Sequence, residues 1–287
     1  MSLDTELEPV AADDSGTAAG DSGAARGDLA FAMDVAVRAG RVLMDRYERV
    51  ERVDYKSARD IVTEVDHLSE ELIIGAIRER LPGDGILAEE SGEQAARGGS
   101  APTSGEGRVW VVDPVDGTIN YANGIPFFCV SIGLVVDGRP TVGVVLDPAR
   151  DECFAATADG LATLNGRPIA ASTKDSLSDF VVQMALAGRA VATRAKAVRK
   201  AIRISRSMGS SALALSYVAN GRFDAFIQQG GMSNWDVAAA GLIAERAGAI
   251  VTDAAGGPWF DITRRPQSVG AVAAPAGHHA TILGLTR

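Results

Sequence analysis

The sequence predicts a layered α/β (or α+β) protein with mixed sheets, and three observations support this fold class. Hydrophobic residues make up 46% of the 287 residues, which is enough for a sizeable core in one large domain or two moderate ones. Short apolar runs typical of strands interleave with longer segments typical of helices. These elements lack a regular strand–helix–strand rhythm, which favours mixed sheets in layers over a simple parallel sheet.

The first half of the chain is expected to contain a tail, two helices and several strands. Residues 1–27 are rich in Ala, Gly, Ser and Asp, with almost no large apolar side chains, so we expect a disordered N-terminal tail. Apolar residues from Leu29 to Tyr47 predict a helix with a buried face, and a second helix follows around Leu68–Ile77. The predicted strands of this half are GILAEES and residues 109–112, 127–136, 141–147 and 152–157.

In the second half, two helices are predicted between strands. The stretch GSSALALSYVANG begins with serines and has Gly221 past its end, as helices often do. The stretch SNWDVAAAGLIAERAG has Asp236 in its first turn and Gly248 as a stop signal. FDAFIQ, AIVTD and VGAVAAP are predicted strands.

Composition excludes several function classes. The net charge of −9 argues against non-specific binding to nucleic acid or to anionic membranes. No apolar run is long enough for a membrane span, and the N-terminus has no signal-peptide pattern. Cys129 and Cys153 lie in apolar surroundings, which is typical of buried reduced thiols. We therefore expect a cytoplasmic protein.

The stretch WVVDPVDGTINY carries the strongest chemical signal. Asp113 and Asp116 flank a turn at the end of an apolar strand, where Pro114 restricts the backbone and Gly117 permits a tight bend. Two carboxylates so close together repel each other and resist leaving water. A plain turn would need neither the second aspartate nor Thr118, so we expect a cation between the two acids.

Other acidic positions extend this site. Asp66 precedes the second helix, Glu89 and Glu90 end a strand, and Asp236 starts a helix. Each also has a structural explanation, as a helix cap, a solvated loop or a favourable charge at a helix dipole. Taken together, carboxylates without nearby His or Cys ligands indicate an all-oxygen site that selects Mg²⁺ or Mn²⁺ over Zn²⁺.

Such a site also needs groups that bind an anion. Gly117 and Thr118 offer backbone N–H groups where a helix could begin. Gly209, Ser210 and Ser211 offer a second helix N-terminus, which could equally be an ordinary cap.

Five motifs together resemble the inositol monophosphatase family of Mg²⁺-dependent, lithium-sensitive phosphatases. They are DIVTEVD, AEESGE, WVVDPVDGTINYANGIPFFCVSIGL, RSMGSSALALSYVANGRFDAF and NWDVAAAGLIAERAGAIVTD. The resemblance runs from about residue 29 to the end of the chain and keeps the family's order and spacing. It implies an α-β-α-β-α sandwich, a homodimer, and hydrolysis of a small phosphorylated polyol or sugar, with inositol 1-phosphate as the first candidate.

The resemblance also assigns roles to individual residues. Two to three Mg²⁺ ions, or Mn²⁺ in their place, would be held by Glu89, Asp113, the backbone carbonyl of Val115, Asp116 and Asp236. Thr118 paired with Asp66 would accept the proton of the attacking water, which Glu89 helps to hold. The implied substrate contacts are Gly117, Thr118, Gly209, Ser210, Gln229 and Asp236. Glu90 would be a supporting carboxylate, and Lys56 and Asp60 match a loop that closes near the metals.

One position departs from the family pattern and leaves the alcohol half of the substrate open. Gln229 stands where the inositol-cleaving members have a glutamate, so a charge is lost and a hydrogen-bond donor is gained. Fructose 1,6-bisphosphate, histidinol phosphate and 3′-phosphoadenosine nucleotides are alternative substrates on the same scaffold. Arg189, Arg194, Arg199 and Arg203 could meet a second phosphate or could form a solvated helix face. Some family members are RNA-polymerase-associated regulators, although the acidic net charge gives no nucleic-acid footprint.

We divide the chain accordingly into three parts. Residues 1–27 form the tail, residues 28–148 an N-terminal α+β domain that binds the metals, and residues 149–287 a C-terminal α/β domain that completes the substrate site.

Overall fold

Helices and sheets alternate in five layers in this protein, for which we have a computed structural model. The structure describes residues 16–49, 53–57, 60–95, 101–185 and 191–286. Buried hydrophobic clusters fill the spaces between successive layers, in the order helix, sheet, helix, sheet, helix. The predicted layered α/β fold with mixed sheets is confirmed.

Helices supply three of the five layers. Those found in the described residues are α1 (Gly16–Arg46), α2 (Glu64–Arg80), α3 (Thr118–Ala122), α4 (Val191–Ala201), α5 (Ser211–Ala219), α6 (Asn234–Arg246) and α7 (Ala276–Leu285). The pair α1 and α2 covers one face of the first sheet, while α5 and α6 lie between the two sheets. The outer face of the second sheet is covered by α4 and α7.

Strands form one hairpin and two sheets. The described strands are β1 (Val53–Ser57), β2 (Asp60–Thr63), β3 (Gly85–Ala88), β4 (Gly92–Gln94), β5 (Arg108–Asp116), β6 (Cys129–Val136), β7 (Arg139–Asp147), β8 (Glu152–Thr157), β9 (Thr163–Leu164), β10 (Arg167–Pro168), β11 (Val181–Ala185), β12 (Ile204–Arg206), β13 (Ala225–Met232), β14 (Ala249–Thr252) and β15 (Val269–Pro275). β1 and β2 pair as the hairpin. The eight-stranded sheet has the order β10-β9-β8-β7-β6-β5-β3-β4, and the five-stranded sheet has the order β12-β11-β13-β15-β14. Both sheets mix parallel and antiparallel neighbours.

The apolar run that precedes the aspartate pair lies in the middle of the larger sheet. Trp110 and Val112 pack towards α1 and α2, whereas Val109 and Val111 face the opposite side. A strand that is buried on both faces needs apolar residues at consecutive positions rather than at alternate ones. This explains why the apolar run is continuous up to the carboxyl end of β5, where the polar residues begin.

Close packing between α6 and the larger sheet positions one part of the site. A Cβ added to Gly143 would lie 2.6 Å from the carbonyl oxygen of Ala239, and one added to Gly133 would lie 3.1 Å from the Cβ of Ala238. Glycines at these two strand positions therefore allow the helix backbone to lie directly on the sheet. The N-terminal turn of α6 is held in this way beside the end of β5.

The segment expected to be a disordered tail overlaps α1, which begins at Gly16. Residues 16–27 have few large apolar side chains, but they include several alanines, and alanine has a high helix propensity. A helix that is already anchored from Phe31 onward extends cheaply, since adding a residue to an existing helix costs far less than starting one. Asp28 also pairs with Arg108 of β5 at 3.1 Å. Residues 1–15 lie outside the described residues.

The predicted domain boundary at residue 148 divides the larger sheet. β8 pairs with β7 immediately after that boundary, and β9 and β10 continue the same sheet to Pro168. A division by sheets falls after Pro168.

Two further expectations concern cysteines and membranes. Cys129 and Cys153 are buried free thiols, as predicted. In the described parts of the chain, no helix combines the length with the apolar character that crossing a membrane requires.

Candidate active site

Four acidic side chains line a cavity of about 750 Å³ between the larger sheet and α6. Glu89 follows β3, Asp113 and Asp116 lie at the end of β5, and Asp236 lies in the first turn of α6. One carboxylate oxygen from each of Asp113, Asp116 and Asp236 lies within 4.8 Å of the others. Four of the six acidic positions singled out in the sequence thus line one cavity.

A β-bulge lets both aspartates of β5 face this cavity. Residues three apart on a regular strand point to opposite faces of a sheet. Here Asp113 pairs with Ser131 and Asp116 pairs with Cys129, so three steps on β5 match two steps on β6. The extra residue reverses the alternation. Pro114 lies inside the bulge, where the missing N–H costs no ladder hydrogen bond.

Asp113 is the most buried of these carboxylates, with 1% of its surface exposed. Burial raises its pKa well above the usual range, and the nearby charges of Glu89, Asp116 and Asp236 raise it further. Its Oδ1 accepts the N–H of Val115 at 3.0 Å, which fixes its orientation. The carboxylate is therefore held in place and strongly disfavoured as an isolated anion, which are the properties of a cation ligand.

Asp116 is held by the N-terminus of α5. Its Oδ2 accepts the Ser210 hydroxyl at 2.5 Å and the Ala212 N–H at 2.6 Å. Burial raises its pKa, while the hydrogen bonds from Ser210 and the helix N–H groups oppose that rise. The anion that this helix N-terminus accepts is thus the protein's own carboxylate. The Ser210 hydroxyl, a predicted substrate contact, donates to a predicted metal ligand.

Asp236 belongs to a capping box at the start of α6. Its Oδ2 accepts the Ser233 N–H at 2.6 Å, and Ser233 is the N-cap residue. Burial and the charges of Asp116 and Glu89 raise the pKa of Asp236 well above its usual value, while the Ser233 N–H and a hydrogen bond with Asp113 oppose the rise. One oxygen serves the helix cap, which leaves the other for the cavity.

Glu89 is positioned by a residue that sequence reasoning missed. Glu70 of α2 is buried, with 4% of its surface exposed. Its two oxygens accept the N–H groups of Glu90 and Ser91 at 2.8 and 2.9 Å. This fixes the turn that directly follows Glu89. The signal was present in the sequence, because Asp66, Ser69 and Glu70 are spaced so that they share one face of α2.

Thr118 and Asp66 form the predicted pair. The Thr118 hydroxyl lies 3.0 Å from Asp66 Oδ1 and 3.0 Å from the Val115 carbonyl oxygen, so either can accept its single proton. The other oxygen of Asp66 accepts the backbone N–H and the hydroxyl of Thr63, at 2.9 and 2.6 Å. Asp66 is therefore an N3 residue in a capping box, with Thr63 as the N-cap.

Glycine is required at position 117, where the chain turns from β5 into α3. Its φ is +100°, and a Cβ there would lie 3.1 Å from the Phe127 carbonyl oxygen. Gly209 lines the same cavity. The missed residue Asn120 joins the two segments, because its Nδ2 donates to the carbonyls of Phe127 and Met208, both at 2.7 Å.

The structure places Gln229 apart from the acidic group. Its Nε2 donates to the Thr286 carbonyl oxygen at 2.6 Å. As far as the described residues define it, the lining of the acidic cavity omits Gln229, which instead lines an adjoining cavity of about 510 Å³. Gly231 lines both cavities. The side chains of Lys56 and Asp60, and residue Arg189, lie outside what the structure describes.

The donor set fits a hard divalent cation. Its members are carboxylate oxygens, supplemented by the Val115 carbonyl at the cavity wall. Cations such as Mg²⁺ and Mn²⁺ prefer this chemistry, whereas Zn²⁺ prefers nitrogen and sulfur ligands. The mutual repulsion that raises the pKa of Asp113 would be relieved by such an ion.

Comparison with known proteins places this arrangement in a family. Residues 26–287 match the inositol monophosphatase family. Inositol monophosphatase 3 of Solanum lycopersicum is 37% identical over 83% of this chain and 89% of that protein. Nus factor SuhB of Pseudomonas aeruginosa is also 37% identical, over 81% of this chain and 87% of that protein.

Solved structures give the same result. The extragenic suppressor protein suhB from Bartonella henselae has a TM-score of 0.82 and 31% identity, covering 91% of this chain and 98% of that one. The Thermotoga maritima IMPase has a TM-score of 0.80 and 30% identity, covering 91% and 96% of the two chains. The match in sequence, fold and acidic geometry leads to one conclusion: this chain belongs to the inositol monophosphatase family of phosphatases.

Proposed function

We propose that this chain hydrolyses a small phosphorylated polyol, with inositol 1-phosphate as the first candidate, in a reaction that depends on Mg²⁺. The observation that carries this proposal is the approach of Asp113, Asp116 and Asp236 to within 4.8 Å of one another, beside the Thr118–Asp66 pair. The carboxylates suit a divalent cation, and the hydroxyl–carboxylate pair suits removal of a proton from water.

Glu89, Asp113, Asp116 and Asp236, with the Val115 carbonyl, would hold two to three Mg²⁺ ions, or Mn²⁺ in their place. When bound, such cations neutralise the phosphate oxygens and act as Lewis acids. The backbone N–H groups of Gly117 and Thr118, with Gly209 across the cavity, would orient the phosphate.

The Thr118–Asp66 pair would accept the proton that the attacking water loses. A threonine hydroxyl is a poor base alone, so it must pass its own proton to a neighbouring carboxylate. Asp66 lies at the required 3.0 Å and is held by Thr63. The new bond joins the water oxygen to phosphorus, the bond from phosphorus to the alcohol oxygen breaks, and that oxygen takes a proton from a solvent water.

A second candidate is a substrate with two phosphates, such as fructose 1,6-bisphosphate or a 3′-phosphoadenosine nucleotide. Arg199 lines the adjoining cavity together with Gln228 and Gln229, and this cavity shares Gly231 with the acidic one. The guanidinium group of Arg199 could bind a second phosphate there. Histidinol phosphate has a single phosphate and tests whether an amine is accepted.

A screen for phosphate release separates these candidates. The purified chain with Mg²⁺ is offered inositol phosphates, sugar bisphosphates, histidinol phosphate and 3′-phosphoadenosine nucleotides. We expect the highest kcat/KM with inositol 1-phosphate, no turnover in EDTA, and inhibition by millimolar lithium. Absence of turnover with every phosphate ester would overturn the proposal and favour a regulatory role, which the SuhB relatives' name of Nus factor also raises.

Assembly as a homodimer is part of the same proposal, because it rests on the family resemblance. Light scattering during size-exclusion chromatography measures the mass directly. A mass near that of one 29.8 kDa chain would contradict it.

A further inference from the structure

The wall of the acidic cavity opposite β5 contains an unusual residue, Gln267. It lines this cavity with Trp235, Ile119 and Pro266. Its φ is +59°, in the left-handed region that non-glycine residues rarely adopt. Backbone strain of this kind persists only where the surroundings enforce it, and it concentrates at functional sites.

Two backbone hydrogen bonds enforce this conformation. The Gln267 N–H donates to the Ser233 hydroxyl oxygen at 3.0 Å, and the Gln267 carbonyl accepts the Gly231 N–H at 3.0 Å. Ser233 is the N-cap of α6, the helix that carries Asp236. The backbone of Gln267 is thus fixed relative to the acidic cluster.

The side-chain amide of Gln267 is available to a ligand, in contrast to that of Gln229. Among the residues the structure describes, none forms a hydrogen bond with the Gln267 amide, and the residue is exposed. The Gln229 amide, by contrast, donates one N–H to the Thr286 carbonyl at 2.6 Å. A primary amide offers two donors and an acceptor, which suits neighbouring hydroxyl groups.

The surroundings of Gln267 favour an uncharged, hydroxyl-rich group. Ile119 and Trp235 present apolar surface that can cover the C–H face of a ring, while the amide meets hydroxyl groups at its edge. The acidic residues line the same cavity, where a phosphate would meet bound cations.

We propose that Gln267, rather than Gln229, hydrogen-bonds to the alcohol half of the substrate and favours a polyhydroxylated alcohol. This inference rests on the proposed phosphatase function and names the residue that sets its specificity.

The test compares two substrates with one variant that preserves the backbone. Gln267→Gly removes the amide and adopts the left-handed conformation without strain. Losing one neutral hydrogen bond should raise KM for inositol 1-phosphate by about tenfold with little change in kcat. The same variant should turn over p-nitrophenyl phosphate, whose leaving group has no further hydroxyls, with kinetics close to wild type. Gln267→Asn keeps an amide in a residue that tolerates this conformation and should restore part of the affinity.

A matched control separates the amide from the backbone change. Asp137 also has a left-handed φ, +47°, in the turn between β6 and β7, outside the acidic cavity. Asp137→Gly should turn over both substrates with wild-type kcat and KM. Gln229→Ala tests the competing assignment.

Three results would overturn the inference about Gln267. These are wild-type kcat/KM with both substrates in Gln267→Gly, an equal loss of kcat/KM with both substrates in that variant, or a larger selective loss in Gln229→Ala. Wild-type protein that releases phosphate from neither substrate would instead overturn the proposed function, and the inference with it.

Discussion

Asp113 shows how a single residue can be costly for the fold and necessary for the site. It is almost fully buried beside three other carboxylates, and both burial and repulsion raise its pKa. An uncompensated charge in this position destabilises the folded protein. A bound cation would compensate that charge, so the side chain that opposes folding in the absence of metal would support it in the presence of metal.

Replacing this residue tests the cation site directly. Asp113→Asn keeps the shape of the side chain and removes its charge, so turnover should fall by at least about a hundredfold while the fold is retained. Phosphate release and far-UV circular dichroism measure the two effects. Asp159→Asn, in an exposed turn, is the control and should behave as wild type. Activity within about tenfold of wild type would remove Asp113 from the site.

Thr118 makes a second prediction at this scale. Thr118→Ala removes the hydroxyl that contacts Asp66, so kcat should fall by about a hundredfold or more, with a smaller change in KM. Thr118→Ser retains the hydroxyl and should retain most of the rate. Measuring kcat and KM of both variants with one substrate tests this role of the hydroxyl. An alanine variant with the wild-type rate would show that the hydroxyl moves no proton.

At the scale of elements, α2 is the support on which the acidic strand ends rest. Asp66 contacts Thr118, Ser69 donates to the Pro114 carbonyl at 3.2 Å, and Glu70 holds the turn after Glu89. A single helix face thus touches the loops after β3 and β5. Rigid support of this kind keeps ligands within the small tolerances that catalysis requires.

Glu70→Gln tests this support. An amide can accept only one of the two N–H groups that Glu70 now accepts, and its own NH₂ would face the other. We expect Glu89 to lose its fixed position, so the Mg²⁺ concentration for half-maximal activity should rise by about tenfold. Glu71→Gln, exposed on the same helix, is the matched control. An equal Mg²⁺ requirement in both variants would contradict the role of Glu70.

Local patterns predicted the central strands and the helices α1, α2, α5 and α6, but they gave no prediction for several shorter or more peripheral elements, among them α4, α7, β11 and β12. Periodicity and turn residues located α5, α6 and the central strands, because each has its own signal of apolar spacing and capping. The start of α1 was missed because its first turns carry few large apolar residues. The bulge in β5 was also missed, since it becomes visible only in the pairing with β6.

At the scale of the whole molecule, the buried acids link stability to pH and to metal. The raised pKa values of Asp113, Asp116 and Asp236 mean that the folded protein without metal keeps protons that the unfolded chain has already released. These carboxyl groups therefore do not destabilise the fold at low pH. The free energy of unfolding falls as pH rises above about 4, where the unfolded chain ionises. A bound cation removes this loss because it favours the ionised forms.

The stabilisation by Mg²⁺ should accordingly grow as pH rises. Thermal unfolding followed by calorimetry, in EDTA and in saturating Mg²⁺, gives the difference in Tm at each pH from about 5 to 8. Wild type should show an increasing difference, while Asp113→Asn should show little difference and a higher Tm in EDTA. A difference in Tm that stays constant or shrinks with pH would contradict the linkage.

The candidate site as a whole was predictable in its members but not in its contacts. Asp66, Glu89, Asp113 and Asp236 could be selected because acids at element ends are chemically conspicuous. The bond from Ser210 to Asp116 joins residues 94 positions apart, and no local periodicity reports such a distance. Gln229 was assigned by resemblance, and its amide instead meets Thr286, near the end of the chain.

The close packing of α6 on the larger sheet has a genetic consequence. Gly143 touches no reactant, yet a methyl group there would force the helix away from the strand and carry Asp236 with it. A genetic selection for loss of phosphate release should therefore return Gly143→Ala together with changes at the aspartates. Inactivating alleles will arise at a glycine that has no reactive atom.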